Sequence, residues 1–333
     1  MAKKVAIQGF HGSFHEQAAC IFYDRLGEPG TPEIIECATF EGMFKALGTG
    51  EADALIIAVE NTTSGGLLPN FDLLRRYGAK VKGEIYLHIH QNLMALPGQS
   101  LEDIKEVRTH YMAINQTRQY FERECPWIQM VESEDTAKSA ADVAEGHLMG
   151  VGAVASSLAA ERFGLEILAG NIETYKQNFT RFLIVDDAVS VPEEKINKSS
   201  ICFTLPHTPG SLAHILTILS FYDMNLSRIQ SLPIPGEKWQ YFFYVDITFG
   251  SYERYTQALS AVRPLVDGLD IMGEYYRRLH YDNKTCRQDG FGQGVLFLKE
   301  AEGNRQHECR KDGFGTAESD QSGNRRTGRN ASF

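Results

Sequence analysis

Apolar runs of strand length alternate with amphipathic helical stretches over the first half of this chain, and that alternation restricts the fold more than any other feature. Val5-Ala6-Ile7-Gln8, Ile34-Ile35-Glu36-Cys37-Ala38 and Ala54 to Val59 read as strands. Between them Phe14, Ala18, Ile21 and Phe22 recur at helical spacing, as do Phe40, Met43, Phe44 and Leu47. Ala54 to Val59 is apolar without a break, which fits a strand covered on both faces of a parallel sheet. The pattern continues to about Asp187 and predicts an α/β class. Glu84 to Ala95 reads as one long strand opening a second lobe, about residues 80–175. If the first and last segments of residues 1–188 share a lobe, the chain crosses between lobes twice. A cleft then lies at the crossing.

Residues 189–198 are polar and proline-bearing and read as a linker. Beyond it, residues 199–280 carry strand, helix, strand, strand, helix and strand patterns, the β-α-β-β-α-β order of a ferredoxin-like domain. From 281 to 333 apolar residues nearly vanish, which predicts a disordered tail. That tail holds a near repeat, Cys286-Arg287-Gln288-Asp289-Gly290-Phe291-Gly292 and Cys309-Arg310-Lys311-Asp312-Gly313-Phe314-Gly315. The formal charge of -10 argues against a nucleic-acid partner, and an anionic substrate would need a local cationic pocket. No apolar run is long enough for a membrane span, and the N-terminus lacks a signal-peptide pattern. Scattered cysteines without a C-x-x-C pair fit reduced thiols in a cytoplasmic protein.

Several stretches carry candidate chemistry. Thr180-Arg181-Phe182 stands at a loop-to-strand junction. Its guanidinium could grip a carboxylate, its hydroxyl could meet charge developing on oxygen, and its ring could exclude water. A strand start with a surface salt bridge is the plainer alternative. Gly9-Phe10-His11-Gly12-Ser13 precedes a helix with an S-x-x-E capping box, Ser13 to Glu16. This is either an anion site at a helix N-terminus or an ordinary turn. Glu60-Asn61-Thr62-Thr63-Ser64-Gly65-Gly66 follows a buried strand, at the sheet edge where open α/β folds bind ligands. His88 and His90 share a strand face but have no third metal ligand nearby, so no metal or cofactor is expected. Gly150-Val151-Gly152-Ala153-Val154-Ala155 mimics a dinucleotide fingerprint, but its glycines fall inside a strand.

The order of these motifs resembles the monofunctional prephenate dehydratases, over roughly residues 4–280. Gly9-Phe10-His11-Gly12-Ser13-Phe14 resembles the family's Gly-Pro-x-Gly-Thr-Phe opening, and Val59-Glu60-Asn61-Thr62 resembles its Ile-Glu-Asn-Ser. Glu84 with His90 and Leu93 resembles its Glu…His-x-x-Leu segment, and Asp135-Thr136-Ala137 the start of a family helix. Asn178-x-Thr180-Arg181-Phe182 resembles the family's most specific signature, which carries an essential threonine. The resemblance implies a periplasmic-binding-protein-like two-lobed catalytic domain followed by an ACT regulatory domain of ferredoxin-like βαββαβ fold. It implies a lyase that converts prephenate to phenylpyruvate with loss of water and carbon dioxide.

On this expectation Thr180 and Arg181 are catalytic: Arg181 holds carboxylate together with amides around Gly12 and Ser13, and Thr180 donates to the departing hydroxyl. Asn61, Thr62, Ser64, Gly65, His90, Asn178 and Phe182 form the rest of the substrate site, with His90 an alternative proton donor. Gly210, Ser211, Leu212 and Ala213 resemble an ACT effector loop, and Asn225, Leu226, Gln230 and Ser231 a second effector segment. The effector expected is phenylalanine, and the expected assembly a homodimer or homotetramer. Gln230 and Leu232 replace charged residues of that pattern, which weakens the expected response. Arogenate dehydratase is the rival within the class, and a non-catalytic two-lobed ligand sensor the rival outside it.

Overall fold

A computed structural model describes residues 2–27 and 31–277. The expected tail with its cysteine-bearing repeat lies outside the described residues. The chain opens with β1 (Lys4–Gln8), α1 (Phe14–Leu26), β2 (Glu33–Cys37), α2 (Phe40–Thr49) and β3 (Ala54–Asn61). The two-residue β4 (Gly65–Gly66), α3 (Leu68–Arg76) and β5 (Val81–His88) follow. The next group is β6 (Asn92–Ala95), β7 (Glu106–His110), α4 (Tyr111–Glu124), β8 (Gln129–Ser133), α5 (Thr136–Glu145), β9 (Val151–Ala155), α6 (Ser157–Phe163) and β10 (Glu166–Ala169). The chain ends its first half with β11 (Phe179–Val185). The last group is β12 (Lys198–Thr204), α7 (Ser211–Phe221), β13 (Asn225–Pro233), β14 (Tyr241–Thr248), α8 (Tyr252–Val262) and β15 (Gly268–Tyr275).

The strands form two sheets. The smaller, in the order β10-β6-β9-β7-β8, is the second lobe. The larger runs β13-β14-β12-β15-β5-β11-β3-β1-β2, with β4 attached to β3. Here β1 lies parallel to β2 and β3, while β11 runs antiparallel between β3 and β5. β3 is buried on both faces, as its uninterrupted apolar run requires, between clusters containing Leu55 and Ile57 on one side and Ile56 and Ala58 on the other. The two faces of the small sheet carry their own clusters, one around Phe121 and Val107, the other an alanine-rich seam of Ala137, Ala140 and Ala159. The last six elements build a further core around Phe203, Ile215 and Tyr255.

The stretch expected as one strand from Glu84 to Ala95 is two, β5 in the large sheet and β6 in the small one. Its middle, residues 89–91, is the first crossing between lobes. The second sheet therefore starts at Asn92 rather than near residue 80. The break falls at the short polar run His90-Gln91-Asn92, between two largely buried halves. The return crossing is residues 170–178, which delivers β11 with Thr180 at its start. The expected linker contains a short 3-10 turn, Glu193–Lys195, and anchors Val189 in the interior.

Candidate functional site

A cavity of 510 Å³ opens between the lobes. In both sheets the C-terminal ends of parallel strands face it, the edge where α/β sheets expose their loops. β1, β2, β7 and β8 each lead there into a helix, and the four capping residues all line the cavity. Ser13 caps α1, its Oγ accepting from the Glu16 amide at 3.4 Å. Thr39 caps α2 through the Gly42 amide at 3.0 Å, and His110 caps α4 through Met112 at 3.4 Å. Asp135 caps α5, accepting from Ala137 at 2.7 Å and Lys138 at 3.0 Å. Four helix N-termini face one space, and two of them already hold a carboxylate of the protein, Glu16 at α1 and Asp135 at α5. None of the described residues lining the cavity is Lys or Arg. The side chains of the described lining therefore do not supply the cationic pocket that an anionic substrate was expected to need.

Thr180 and Phe182 sit two apart on β11 and both line the cavity. Thr180 pairs across the sheet with Asn61 at the end of β3. The Asn61 side chain is locked by its carbonyl oxygen, which accepts from the Thr63 and Ser64 amides, each at 2.9 Å. Its Nδ2 is left to donate to Thr180 Oγ1 at 2.9 Å and to Asn178 Oδ1 at 2.8 Å. Thr180 therefore receives a hydrogen bond, and no protein acceptor among the described residues takes its own proton. That proton is available to a guest in the cavity. Asn178, fully buried, continues the relay by donating to Gln116 Oε1 at 3.0 Å.

Other expected site residues stand elsewhere. Arg181 alternates with Thr180 along β11 and points to the opposite face, where it is 2% exposed. Its Nε donates to Glu84 at 2.7 Å, Nη1 to Asp246, and Nη2 to the Tyr275 hydroxyl at 3.0 Å. A clamp on substrate is excluded in this arrangement, since every edge of the fork is occupied. The amides near Gly12 are occupied too: His11 donates to Glu36 at 2.5 Å, Gly12 to Glu16 at 2.5 Å, and Ser13 to Phe10 at 3.1 Å. The anion on that turn is the protein's own Glu16, paired with Arg162 of α6 at 2.5 Å. Thr62 bonds the 177–179 backbone and, like Ser64 and Gly65, is exposed outside the cavity. His90 turns away from its neighbour Ile89, which lines the cavity, and lies 3.4 Å from Glu173 and 4.0 Å from the His88 ring.

Sequence reasoning missed His15, Gln91, Gln116 and Tyr111 as lining residues. Thr39, His110 and Asp135 were not among the expected site residues either. Adjacency to His90 was the one available signal for Gln91. His15 lies edge-on to Phe182, centroids 5.0 Å apart, and its Nε2 accepts from the Ala58 amide at 3.4 Å. Burial pushes this imidazole down to about 4. Burial also lowers His110, against the opposing pull of Asp135 and Glu132, and raises Asp135 against its two capping amides. Both histidines are therefore held toward the neutral form.

The residues expected to bind an effector divide. Gly210 to Ala213 open α7, whereas Asn225 and Leu226 follow its far end. The 11-residue helix separates them by about 16 Å. Gln230 lies instead against Gly66 of the first lobe, where an added Cβ would come within 2.8 Å of its amide. The described cysteines are free and buried, and no metal-binding cluster occurs among the described residues. No described helix is long and apolar enough to cross a membrane.

Comparison with known proteins agrees with this architecture. The family model for prephenate dehydratase matches residues 5–189. The chain is 33% identical over 277 residues to a bifunctional chorismate mutase/prephenate dehydratase of Aquifex aeolicus, covering 83% of this chain and 74% of the relative. It is 31% identical over 288 residues to arogenate dehydratase/prephenate dehydratase 1 of Arabidopsis thaliana, covering 82% and 71%. The prephenate dehydratase of Arthrobacter aurescens, solved in complex with L-Phe, superposes with a TM-score of 0.72 at 29% identity, covering 82% of this chain and 90% of that one.

Proposed function

This chain belongs to the prephenate dehydratase family of lyases in aromatic amino-acid biosynthesis, and from that premise we propose that its interlobe cleft aromatises prephenate, or the transaminated form arogenate, with Thr180 as the catalytic hydroxyl. Prephenate loses its ring carboxylate as carbon dioxide and its ring hydroxyl as water, giving phenylpyruvate. The C–C bonding pair becomes the third double bond of the ring, and the departing hydroxyl takes up one proton. Aromatisation drives the step, so the site has to position and polarise rather than supply strong acid.

The observation that carries this reading is the directed hydrogen bond from Asn61 to Thr180. It fixes the hydroxyl as an acceptor on one side, so that it donates on the other. A threonine proton is not transferable at neutral pH, but a hydrogen bond to the leaving oxygen stabilises charge as it develops. Phe182, Phe14 and Phe40 give dry walls, and the N-termini of α2 and α4, capped by the uncharged side chains of Thr39 and His110, suit substrate carboxylates. Arg181 enters this proposal through β11 rather than through substrate.

The test is prephenate turnover followed by phenylpyruvate absorbance. Thr180→Val is expected to lower kcat by about 10²–10³-fold, the scale of losing one preorganised donor. Near-normal turnover in this variant would refute the role, and no turnover by the parent enzyme would favour a ligand sensor.

The last six elements, in the order β-α-β-β-α-β, support assignment as an ACT regulatory domain spanning about 199–280. Gly210 to Ala213 and Asn225 with Leu226 lie at opposite ends of α7, which favours an effector site completed by a second copy of the chain. Phenylalanine is the proposed effector, by analogy with the L-Phe complex of the Arthrobacter aurescens enzyme. Titrating phenylalanine into the turnover assay tests this, and an indifferent enzyme would remove it.

A further inference from the structure

We propose that Gln91 is the specificity-determining residue of the cleft, its side-chain oxygen accepting a hydrogen bond from the α-ammonium of an amino-acid substrate, so that the enzyme prefers arogenate to prephenate; this rests on the dehydratase reading above. Gln91 lies at the crossing between lobes and lines the cavity, yet is only 3% exposed. Its backbone amide donates to Glu173 at 2.9 Å and its Nε2 to Gln116 Oε1 at 3.0 Å. Its Oε1 is buried with no hydrogen-bond partner. A buried acceptor left unpaired is costly, and a guest that brings a donor removes the cost.

Which end of a side-chain amide is the oxygen is ordinarily ambiguous, but here the network decides it. The Thr63 and Ser64 backbone amides can only donate, so they hold the Asn61 oxygen toward themselves. Asn61 must then donate to the Asn178 oxygen, Asn178 must donate to the Gln116 oxygen, and Gln91 must present Nε2 to that same oxygen. Flipping Gln91 would set oxygen against oxygen. The group left without a partner on this cavity-lining residue is therefore an acceptor, fixed by a chain that begins at main chain, and a guest reaches it by a small shift of the side chain.

The two candidate substrates differ at one group. The pyruvyl side chain of prephenate offers only acceptors, its ketone and its carboxylate. The alanyl side chain of arogenate offers an ammonium with three donors. The cavity suits the second: besides Gln91 its lining residues include Asp135 and Glu134, with no Lys or Arg among the described ones. A site with a buried acceptor discriminates strongly against an analogue that lacks the donor.

The test compares kcat/KM for L-arogenate and prephenate on the full chain, at initial rates that keep product low. The wild type is expected to favour arogenate by at least about tenfold. Gln91→Met also removes the hydrogen bond to Gln116, so the readout is the ratio: the arogenate-to-prephenate ratio of kcat/KM is expected to fall about tenfold. The wild-type ratio stands without the variant, so misfolding of Gln91→Met does not remove the test. Equal or better use of prephenate by the wild type overturns the proposal, as does a parallel loss on both substrates in a folded variant. Absence of turnover on either substrate overturns the dehydratase reading itself and this proposal with it.

Discussion

His15 shows what single side chains contribute at this site. On the sequence it is one polar position in the first turns of α1; in the fold it is wedged against Phe182 and Phe40 and accepts from the Ala58 backbone. Its pKa falls from an ordinary 6.5 to about 4 because burial disfavours the charged ring. The folded state thus binds fewer protons than the unfolded state between these values. Stability tied to His15 is whole above pH 6.5 and is lost as pH falls through this window. The loss from this group is about 1.4 kcal/mol at pH 5.5 and about 3 kcal/mol near pH 4. His15→Gln keeps an acceptor and cannot titrate, so urea unfolding at pH 7.5 and 5.5 should show a smaller pH effect than in the wild type. Neither this residue nor Gln91 was legible beforehand. Local spacing records which residues face inward, but not which inward residue meets a cavity rather than a core.

At the level of elements the chain was more readable. The strand–helix alternation, and Ser13, Thr39 and Asp135 as caps, follow from local signals that the fold keeps. What local signals could not supply is that those caps converge, because they lie on two sheets joined only by tertiary structure. The break between β5 and β6 left only the polar run His90-Gln91-Asn92 as a local mark, which a single strand could also have carried between its largely buried flanks. Gly12 marks the place where elements of the two lobes meet. Its φ is +86°, its carbonyl accepts from Ser156 Oγ at 2.6 Å, and an added Cβ would lie 3.0 Å from Ala159 Cα on α6. A side chain there meets both a left-handed backbone and the backbone of the other lobe. Gly12→Ala should therefore cost about 1–2 kcal/mol in stability, from the backbone term alone. By pushing α1 from α6 it should also raise KM by about tenfold, the equivalent of 1.4 kcal/mol in binding. Denaturant midpoints and steady-state kinetics check both; an unchanged KM would mean that the α1–α6 approach does not shape the cleft.

Across the whole molecule, one buried cluster ties the catalytic strand to the last six elements. Arg181 on β11 and Glu84 on β5 meet Lys198 and Ser200 on β12, Asp246 on β14 and Tyr275 on β15. Burial would strip the charge from Arg181, but Asp246 and Glu84 outweigh it and hold the guanidinium well above its usual range. The same pairing with Arg181 and Lys198 overcomes burial at Asp246 and holds its carboxyl below the usual value. Breaking one member leaves the others buried and unpaired, at about 3–5 kcal/mol. Arg181→Lys is too short and too simple a donor to serve Glu84, Asp246 and Tyr275 together. It should lose stability on that scale in urea unfolding, while KM of the folded fraction shifts less than about threefold. A substrate clamp would behave in the opposite way, stable but with KM raised tenfold or more. Asp246→Asn separates the cases further, because Asp246 belongs to the distal unit and does not line the cleft. If the cluster fixes β11 and with it Thr180, Asp246→Asn should lower kcat in the same proportion as Arg181→Lys, and the double variant should fall well short of the product of the two effects. Independent, multiplying losses would show that the two units are joined mechanically without Thr180 sensing the join.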